Sequence, residues 1–293
     1  MSPPSYIAYY NGKFLNESDI AISPNDRGFL YGDGVFDTMR SVNRSVISYR
    51  AHYDRLEESC RRTGIKLTLD PVALRHVLAD LFIKNELSDA YIRVSISRGA
   101  GDQFGFGYSK DMKPTIVIAV RPGRVIPEHL YESGVKVDFE CLPVFSSSVQ
   151  GSKLKSLSAQ SFVQAKQTAL NKNCYEMLLM DSFENVYEGS SSNVFIVKNG
   201  TMFTPPVSSG ILPGTTRARV IQICTQKMTV QVTEKLISKN EMFQADEIFL
   251  TNTNIQILPV TQAGQIKISN GTIGIITRKI LSTFRQTLIE ILE

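Results

Sequence analysis

The sequence predicts a mixed α/β (α+β) protein built as two domains, and three observations carry that reading. Stretches with strand-like alternation and stretches with helix-like apolar stripes are interleaved along the whole chain rather than segregated. The chain has 293 residues, enough for two domains at roughly 150 residues each. Between two apolar segments, residues 121–128 are rich in Pro, Gly and charge, starting Arg121-Pro122-Gly123 and reaching Pro127, which suits a linker. The expected division is a smaller domain over 1–120, the linker, and a larger domain over 129–293.

The elements follow in order. Tyr6 to Tyr10, Asn11-Gly12, then Lys13 to Leu15 predicts a β-hairpin, because Asn-Gly supplies the two positive-φ positions of a tight turn. From Val35 the chain alternates, with Phe36, Thr38 and Arg40 on one face and Val35, Asp37 and Met39 on the other. An arginine on a face with a phenylalanine fits either a solvated edge strand or a waiting anion. Ala51 to Thr63 predicts a helix with Tyr53, Leu56 and Cys60 on one stripe and Gly64 as its stop. Ile65 to Leu69 alternates as a strand. Pro71 to Leu87 is a helix that buries Leu74, Val77, Leu78, Leu81 and Phe82. Ala90 to Arg98 and Thr115 to Val120 are strands. In the second half, strands are expected at Val135 to Phe139, Tyr175 to Asp181 and Asp246 to Thr251, with a hairpin turning at Asn199-Gly200. Ser146 to Ser152 is a polar loop. Helices are expected over Ser156 to Leu170, Thr216 to Lys227 and Thr272 to Leu292.

Composition excludes several function classes. Hydrophobic residues make up 42% and charged residues 20%, ordinary for a globular protein, and the net charge of +4 comes without a dense Lys/Arg block. Nucleic-acid and membrane binding have no support, although the charge suits an anionic cofactor. The N-terminal residues lack the pattern of a signal peptide, and no apolar run approaches the roughly 18 residues of a membrane span. Cys60, Cys141, Cys174 and Cys224 are widely spaced, so reduced thiols in a cytoplasm are expected. The three histidines form no zinc pattern. No G-x-S-x-G elbow surrounds Ser190 to Ser192. The glycines from Gly99 to Gly107 match neither a P-loop nor a dinucleotide fingerprint and predict a mobile loop.

Three segments carry the chemistry. Gly-Ser-Lys-Leu-Lys-Ser-Leu-Ser at 151–158 offers Lys155 among small residues. Val-Tyr-Glu-Gly-Ser-Ser-Ser-Asn at 186–193 ends a strand on Glu188. Ile-Leu-Pro-Gly-Thr-Thr-Arg at 211–217 opens a helix with free N–H groups and hydroxyls. A lysine for a Schiff base, an acid for a pyridine nitrogen and a helix end for a phosphate are what pyridoxal 5'-phosphate (PLP) requires. Lys153 and Lys166 compete with Lys155 but lack its Ser-Leu-Ser context, and Lys166 is placed mid-helix in solvent.

Together these motifs resemble the class IV, fold-type IV, PLP-dependent aminotransferases, a family that includes branched-chain aminotransferases, D-amino acid transaminases and aminodeoxychorismate lyases. The resemblance runs from about Tyr9 to the C-terminus. It implies a cofactor in the cleft between two α/β domains, and homodimers or larger assemblies. Lys155 is then the catalytic lysine, exchanging its Schiff base with the substrate amine and moving the proton as general base and acid. The resemblance assigns Glu188 to the pyridine nitrogen and includes Asn193 in the same motif. It packs Leu212 on the ring and places Gly214, Thr215, Thr216, Asn252 and Thr253 at the phosphate. On spacing alone Arg55 pairs with Glu58, but His-Tyr-Asp-Arg-Leu at 52–56 resembles the family segment whose arginine grips the phosphate, a task suited to a planar fork. Tyr31, Phe36, Thr38 and Arg40 resemble residues bordering the substrate. Arg93 resembles an arginine with which branched-chain enzymes receive a dicarboxylate side chain.

The substrate reading divides. Tyr31, Phe36, Arg40 and Arg93 lean toward a branched-chain-type enzyme. Gln160, where that group has a tyrosine, and Asn254-Ile255 depart from it. Lys-Ser-Leu and Glu-Gly-Ser-Ser-Ser-Asn lean toward D-amino acid transaminases, yet no Arg-x-His stands between Gly99 and Lys113. The expected activity is transamination between an amino acid, branched-chain or aliphatic or of D form, and a 2-oxo acid. The alternatives are an aminodeoxychorismate lyase and a non-catalytic relative, the latter opposed by the joint presence of Lys155, Glu188 and Arg55.

Overall fold

The computed structural model describes residues 5–102, 104–142 and 154–293. Lys153 and the loop expected over Ser146 to Ser152 lie outside them. The chain divides into two units, one of residues up to 124 with 154–159 and 290–293, the other spanning the rest. Residues 154–159 and 290–293, expected in the second domain, therefore fold with the first. Arg121 and Pro122, expected in the linker, finish a strand.

The first unit runs β1 (Ile7–Tyr10), β2 (Lys13–Asn16), α1 (Arg27–Tyr31), β3 (Gly34–Val42), β4 (Ser45–Val46), α2 (Tyr49–Thr63), α3 (Pro71–Lys84), β5 (Ala90–Ser97) and β6 (Thr115–Pro122). Its strands form an antiparallel sheet in the order β2-β1-β6-β5-β3-β4. Period-2 alternation sends Val35, Met39, Ile92, Val94, Ile96, Ile116, Ile118 and Val120 to one face. There they meet Tyr53, Leu56 and Cys60 of α2 and Leu74, Leu78, Leu81 and Phe82 of α3. Each large side chain so buried contributes about 1.5–3 kcal/mol. Asp70 caps α3 by accepting from the Ala73 N–H at 2.8 Å. Ile65 to Leu69 is not a strand: its apolar residues pack on this core, but its backbone joins no ladder.

The other edge of β3 is split. β4 pairs with its C-terminal half, and the segment 154–157 pairs with its N-terminal half. The Phe36 N–H donates to the Lys155 carbonyl at 2.7 Å and the Leu157 N–H to the Gly34 carbonyl at 2.9 Å, with Ser156 bridged antiparallel to Val35. Gly34 has to be glycine here, since a Cβ would stand 2.6 Å from the Ile96 carbonyl oxygen and 2.9 Å from Ser97 Cα on the neighbouring strand. The pairing also explains why the helix expected from Ser156 begins only at Gln160. The C-terminal residues do likewise: Val46 and Glu293 exchange backbone hydrogen bonds at 2.9 and 3.0 Å, so the last helix is shorter than its apolar stripe suggests.

The second unit contains α4 (Glu128–Ser133), β7 (Val135–Cys141), α5 (Gln160–Asn171), β8 (Glu176–Met180), β9 (Asn185–Gly189), β10 (Asn193–Lys198), β11 (Thr201–Thr204), α6 (Thr215–Gln226), β12 (Val232–Glu234), β13 (Ile237–Ser238), α7 (Lys239–Phe243), β14 (Glu247–Asn252), β15 (Gln256–Ala263), β16 (Ile266–Lys267) and α8 (Ile275–Gln286). Its mixed sheet has the order β12-β11-β10-β14-β15-β7-β8-β9-β13, with β16 on β15. The central strands are apolar on both faces, as covered strands should be. Val194, Phe195, Ile196, Phe249, Leu250 and Leu258 build the core with Val220 and Ile223 of α6 and Ile280 and Phe284 of α8. Phe195 and Phe249 stack with centroids 4.9 Å apart.

Candidate active site

In the first unit the site residues are distributed by the two faces of β3. Opposite residues of an antiparallel ladder share a face. The register therefore sets Phe36 against Ser95, Thr38 against Arg93 and Arg40 against Tyr91. On the other side Lys155 stands across from Phe36. Two cations consequently reach one ring: Lys155 Nζ lies 4.9 Å and Arg93 Cζ 3.8 Å from the Phe36 centroid. Arg93 also donates to Ser95 Oγ at 3.3 Å. Burial lowers its pKa against the opposing pull of Tyr91. Arg40 Nε is buried with no hydrogen-bond partner among the described residues. The Tyr31 hydroxyl accepts from the Gly105 N–H at 2.8 Å, which ties that residue to the glycine loop.

The opposite face of β3 holds Arg55. Its Nε and Nη2 donate to Asp37 Oδ2 and Oδ1 at 2.8 and 2.9 Å, and His52 Nδ1 lies 2.7 Å from Asp37 Oδ1. Spacing on α2 produces the arrangement, because residues three apart share a helix face. Asp37 is fully buried. Burial pushes its carboxyl up, but Arg55 and His52 outweigh that and hold it well below the ordinary carboxylate range. Burial also lowers the His52 pKa, with Asp37 opposing and the charges of Arg55 and Lys155 assisting. Glu58, the partner that spacing offers Arg55, pairs with Arg61.

In the second unit Glu188 ends β9, almost wholly buried. Its Oε2 accepts the Leu212 N–H at 3.0 Å and lies 3.4 Å from Asn193 Nδ2, which donates to the Leu212 carbonyl at 3.0 Å. The Leu212 turn is thereby fixed by Glu188 and Asn193. Gly214 follows as the N-cap of α6. A Cβ there would meet Asn193 Oδ1 at 2.1 Å. Gly214 has no side chain to cap α6 and no acid lies in the first turn, so Thr215 and Thr216 stand at the positive end of the helix dipole.

The three serines after Glu188 have a different partner. Glu176, fully buried at the start of β8, receives Ser190 Oγ, Ser191 Oγ at 2.9 Å and Ser192 Oγ at 3.1 Å. Lys166 is mid-helix and partly solvated as expected, but its Nζ also lies 3.7 Å from Glu176 Oε1 and 4.7 Å from the Tyr175 ring centroid. The serine turn also carries the Ser191 carbonyl, which accepts Asn252 Nδ2 at 3.0 Å, while Asn252 Oδ1 takes the N–H groups of Asn254 and Ile255 at 2.8 and 2.9 Å. The Asn252 side chain is thus occupied in shaping the turn that holds Thr253.

The class IV amino-transferase family model matches residues 34–263. A putative branched-chain-amino-acid aminotransferase of Methanocaldococcus jannaschii is 37% identical over 280 residues, 94% of each chain. The chain belongs to the class IV aminotransferases. A D-alanine aminotransferase of Bacillus licheniformis is 29% identical over 96% of each chain. The structure of a branched-chain aminotransferase from Thermoproteus uzoniensis with norvaline superposes with a TM-score of 0.88 at 25% identity, covering 98% of this chain and 96% of that one. That of the Escherichia coli branched-chain enzyme does so with 0.86 at 24%, covering 99% and 96%. The fold is that of the fold-type IV enzymes, and this aminotransferase uses PLP. Its residues fit that cofactor: a half-buried lysine paired to β3, a buried carboxylate with fixed donors, and a helix of twelve residues with glycine at its N-cap.

Sequence reasoning missed Asp37, His52 and Glu176 as partners of the candidate site residues. An acid on the apolar face of β3, and another opening the apolar run Glu-Met-Leu-Leu-Met, were the available signals, since a buried carboxylate requires donors. It also missed Arg27. This buried residue donates to Asp33 at 2.9 Å and to the carbonyls of Gly105, Phe106 and Gly107 at 2.9–3.0 Å. The glycine loop, expected to be mobile, is held on that side chain. No helix among the described residues is long and apolar enough to cross a membrane.

Proposed function

We propose that this enzyme moves an amino group between a branched-chain or aliphatic amino acid and a 2-oxo acid, with Lys155 as its catalytic residue. When bound, PLP supplies an electron sink that lets the substrate Cα–H ionise. Lys155 holds the cofactor and, once released from it, moves the proton at the substrate α-carbon. Glu188 keeps a proton on the pyridine nitrogen, and its hydrogen bond to the Leu212 N–H sets Leu212 against the ring. Asn193 locks that turn. Gly214, Thr215, Thr216 and Thr253 bind the phosphate with Arg55, which Asp37 orients; Asn252 shapes the last turn. Tyr31, Phe36, Thr38 and Arg40 border the substrate, and Arg93 receives the second carboxylate of a dicarboxylate partner. The catalytic unit is a cytoplasmic homodimer.

The observation that carries the branched-chain reading is Arg93 on the Phe36 ring, on the same face as Lys155. The 37% identity to a putative branched-chain enzyme supports it. The named relatives support transamination over the lyase reaction. A half-reaction screen tests the proposal, following loss of the bound-cofactor absorption with single L- and D-amino acids. Bleaching by L-leucine, L-valine and L-glutamate is expected. Bleaching by D-alanine or D-glutamate alone would overturn the substrate assignment, and pyruvate release from aminodeoxychorismate without an acceptor would overturn the reaction.

A further inference from the structure

We propose that Arg93 is a positioning residue for the Lys155 amine: the two cations share the Phe36 ring, and the guanidinium drives the amine toward its neutral form. The inference rests on Lys155 being the reactive amine of the proposed function. Register creates the arrangement. Lys155 stands directly across from Phe36 on one side of β3, and Arg93 stands diagonally across from it on β5, within reach for a long side chain. The ring's negative face attracts both cations, yet each lowers what the ring offers the other. Their distances to the centroid, 3.8 and 4.9 Å, place the two charges at most roughly 9 Å apart.

Which group yields its proton follows from chemistry. A guanidinium stays charged at any pH a protein tolerates, whereas a lysine readily shifts. The charged and titratable groups described around the ring come from several elements. From α2, Asp37 and Arg55 form a neutral pair, and burial keeps His52 uncharged at neutral pH. On β3, Arg40 adds a further positive charge to the same face, and on β5 the neighbour of Arg93 is Tyr91. From α1 comes Tyr31. No carboxylate forms an ion pair with Arg93 among the described residues, in contrast to Arg121 on the same face, which pairs with Glu17 at 2.5 Å. Two unit charges about 9 Å apart in a half-buried setting shift an amine by about one pKa unit.

The test uses the full-length apoprotein. The pH dependence of Lys155 acylation, followed by mass mapping of its peptide, gives the amine's pKa without cofactor or turnover. Arg93→Met is expected to raise it by about one unit, Arg93→Lys to leave it near the wild-type value, and Arg121→Met to leave it unchanged. A Lys155 pKa unmoved by Arg93→Met, or moved equally by Arg121→Met, overturns the inference. The cofactor reading fails separately, if the wild-type protein takes up PLP without forming a borohydride-reducible adduct.

Discussion

Asp37 in the first unit and Glu176 in the second are both fully buried carboxylates on sheet strands, and they are satisfied in opposite ways. Asp37 is gripped by two fixed nitrogen bases from one face of α2, Arg55 and His52. Glu176 gathers three hydroxyls from consecutive residues of one turn, with a lysine at 3.7 Å. The first solution makes a compact ion pair that holds an arginine side chain still. The second uses charge to hold a length of backbone, the turn between Glu188 and Asn193, to which Asn252 is also attached. A carboxylate paired with a guanidinium thus positions a side chain, and one surrounded by hydroxyls positions a loop.

Substitutions separate the two. Asp37→Asn strands a buried guanidinium and is expected to lower stability by about 3–5 kcal/mol in chemical denaturation. Glu176→Gln keeps the shape and loses one acceptor for hydroxyls, so a smaller loss of about 1–3 kcal/mol is expected. Its main effect should be weaker PLP retention, measured by dialysis, because the serine turn carries Glu188. Equal losses in the two variants would contradict the distinction. Ser191→Ala removes one of three donors and should cost about 1 kcal/mol by the same denaturation assay.

Acid should act on the Asp37 cluster in two stages. The folded pKa of His52 is depressed, so its stabilising contribution is full above the unfolded value of about 6.5 and declines as pH falls below it. Asp37 is also depressed, so its contribution is present above about 3.9 and is lost only as pH falls further. His52→Gln should therefore flatten the stability profile just below about pH 6.5 while leaving the lower limb in place. An unchanged profile in thermal melts would show that His52 is not held neutral by burial.

Much of this was legible in the sequence. The Asn-Gly hairpins, the capped helix α3 and the alternation of β3 follow from local chemistry. Lys155, Glu188 and the Leu212–Arg217 turn stood out because three weak signals occurred together in order. What was not legible depends on distant partners. Ser156 reads as a helix start, but residues 154–157 pair with β3. Ile65 to Leu69 alternates like a strand but finds no ladder. The helix expected to reach Leu292 ends at Gln286, and Glu293 pairs with Val46 instead. Arg55 was assigned to a phosphate by its motif, while the carboxylate that orients it lies on a different element and could only be suspected.

The measurement to make first is borohydride reduction of the PLP-loaded enzyme followed by peptide mapping. The phosphopyridoxyl group is expected on Lys155 alone, with Lys155→Ala colourless and its transamination lower by roughly 10³-fold or more. A label on Lys166 or another lysine, or a Lys155→Ala variant that keeps its colour and activity, would contradict the assignment on which the whole site is built.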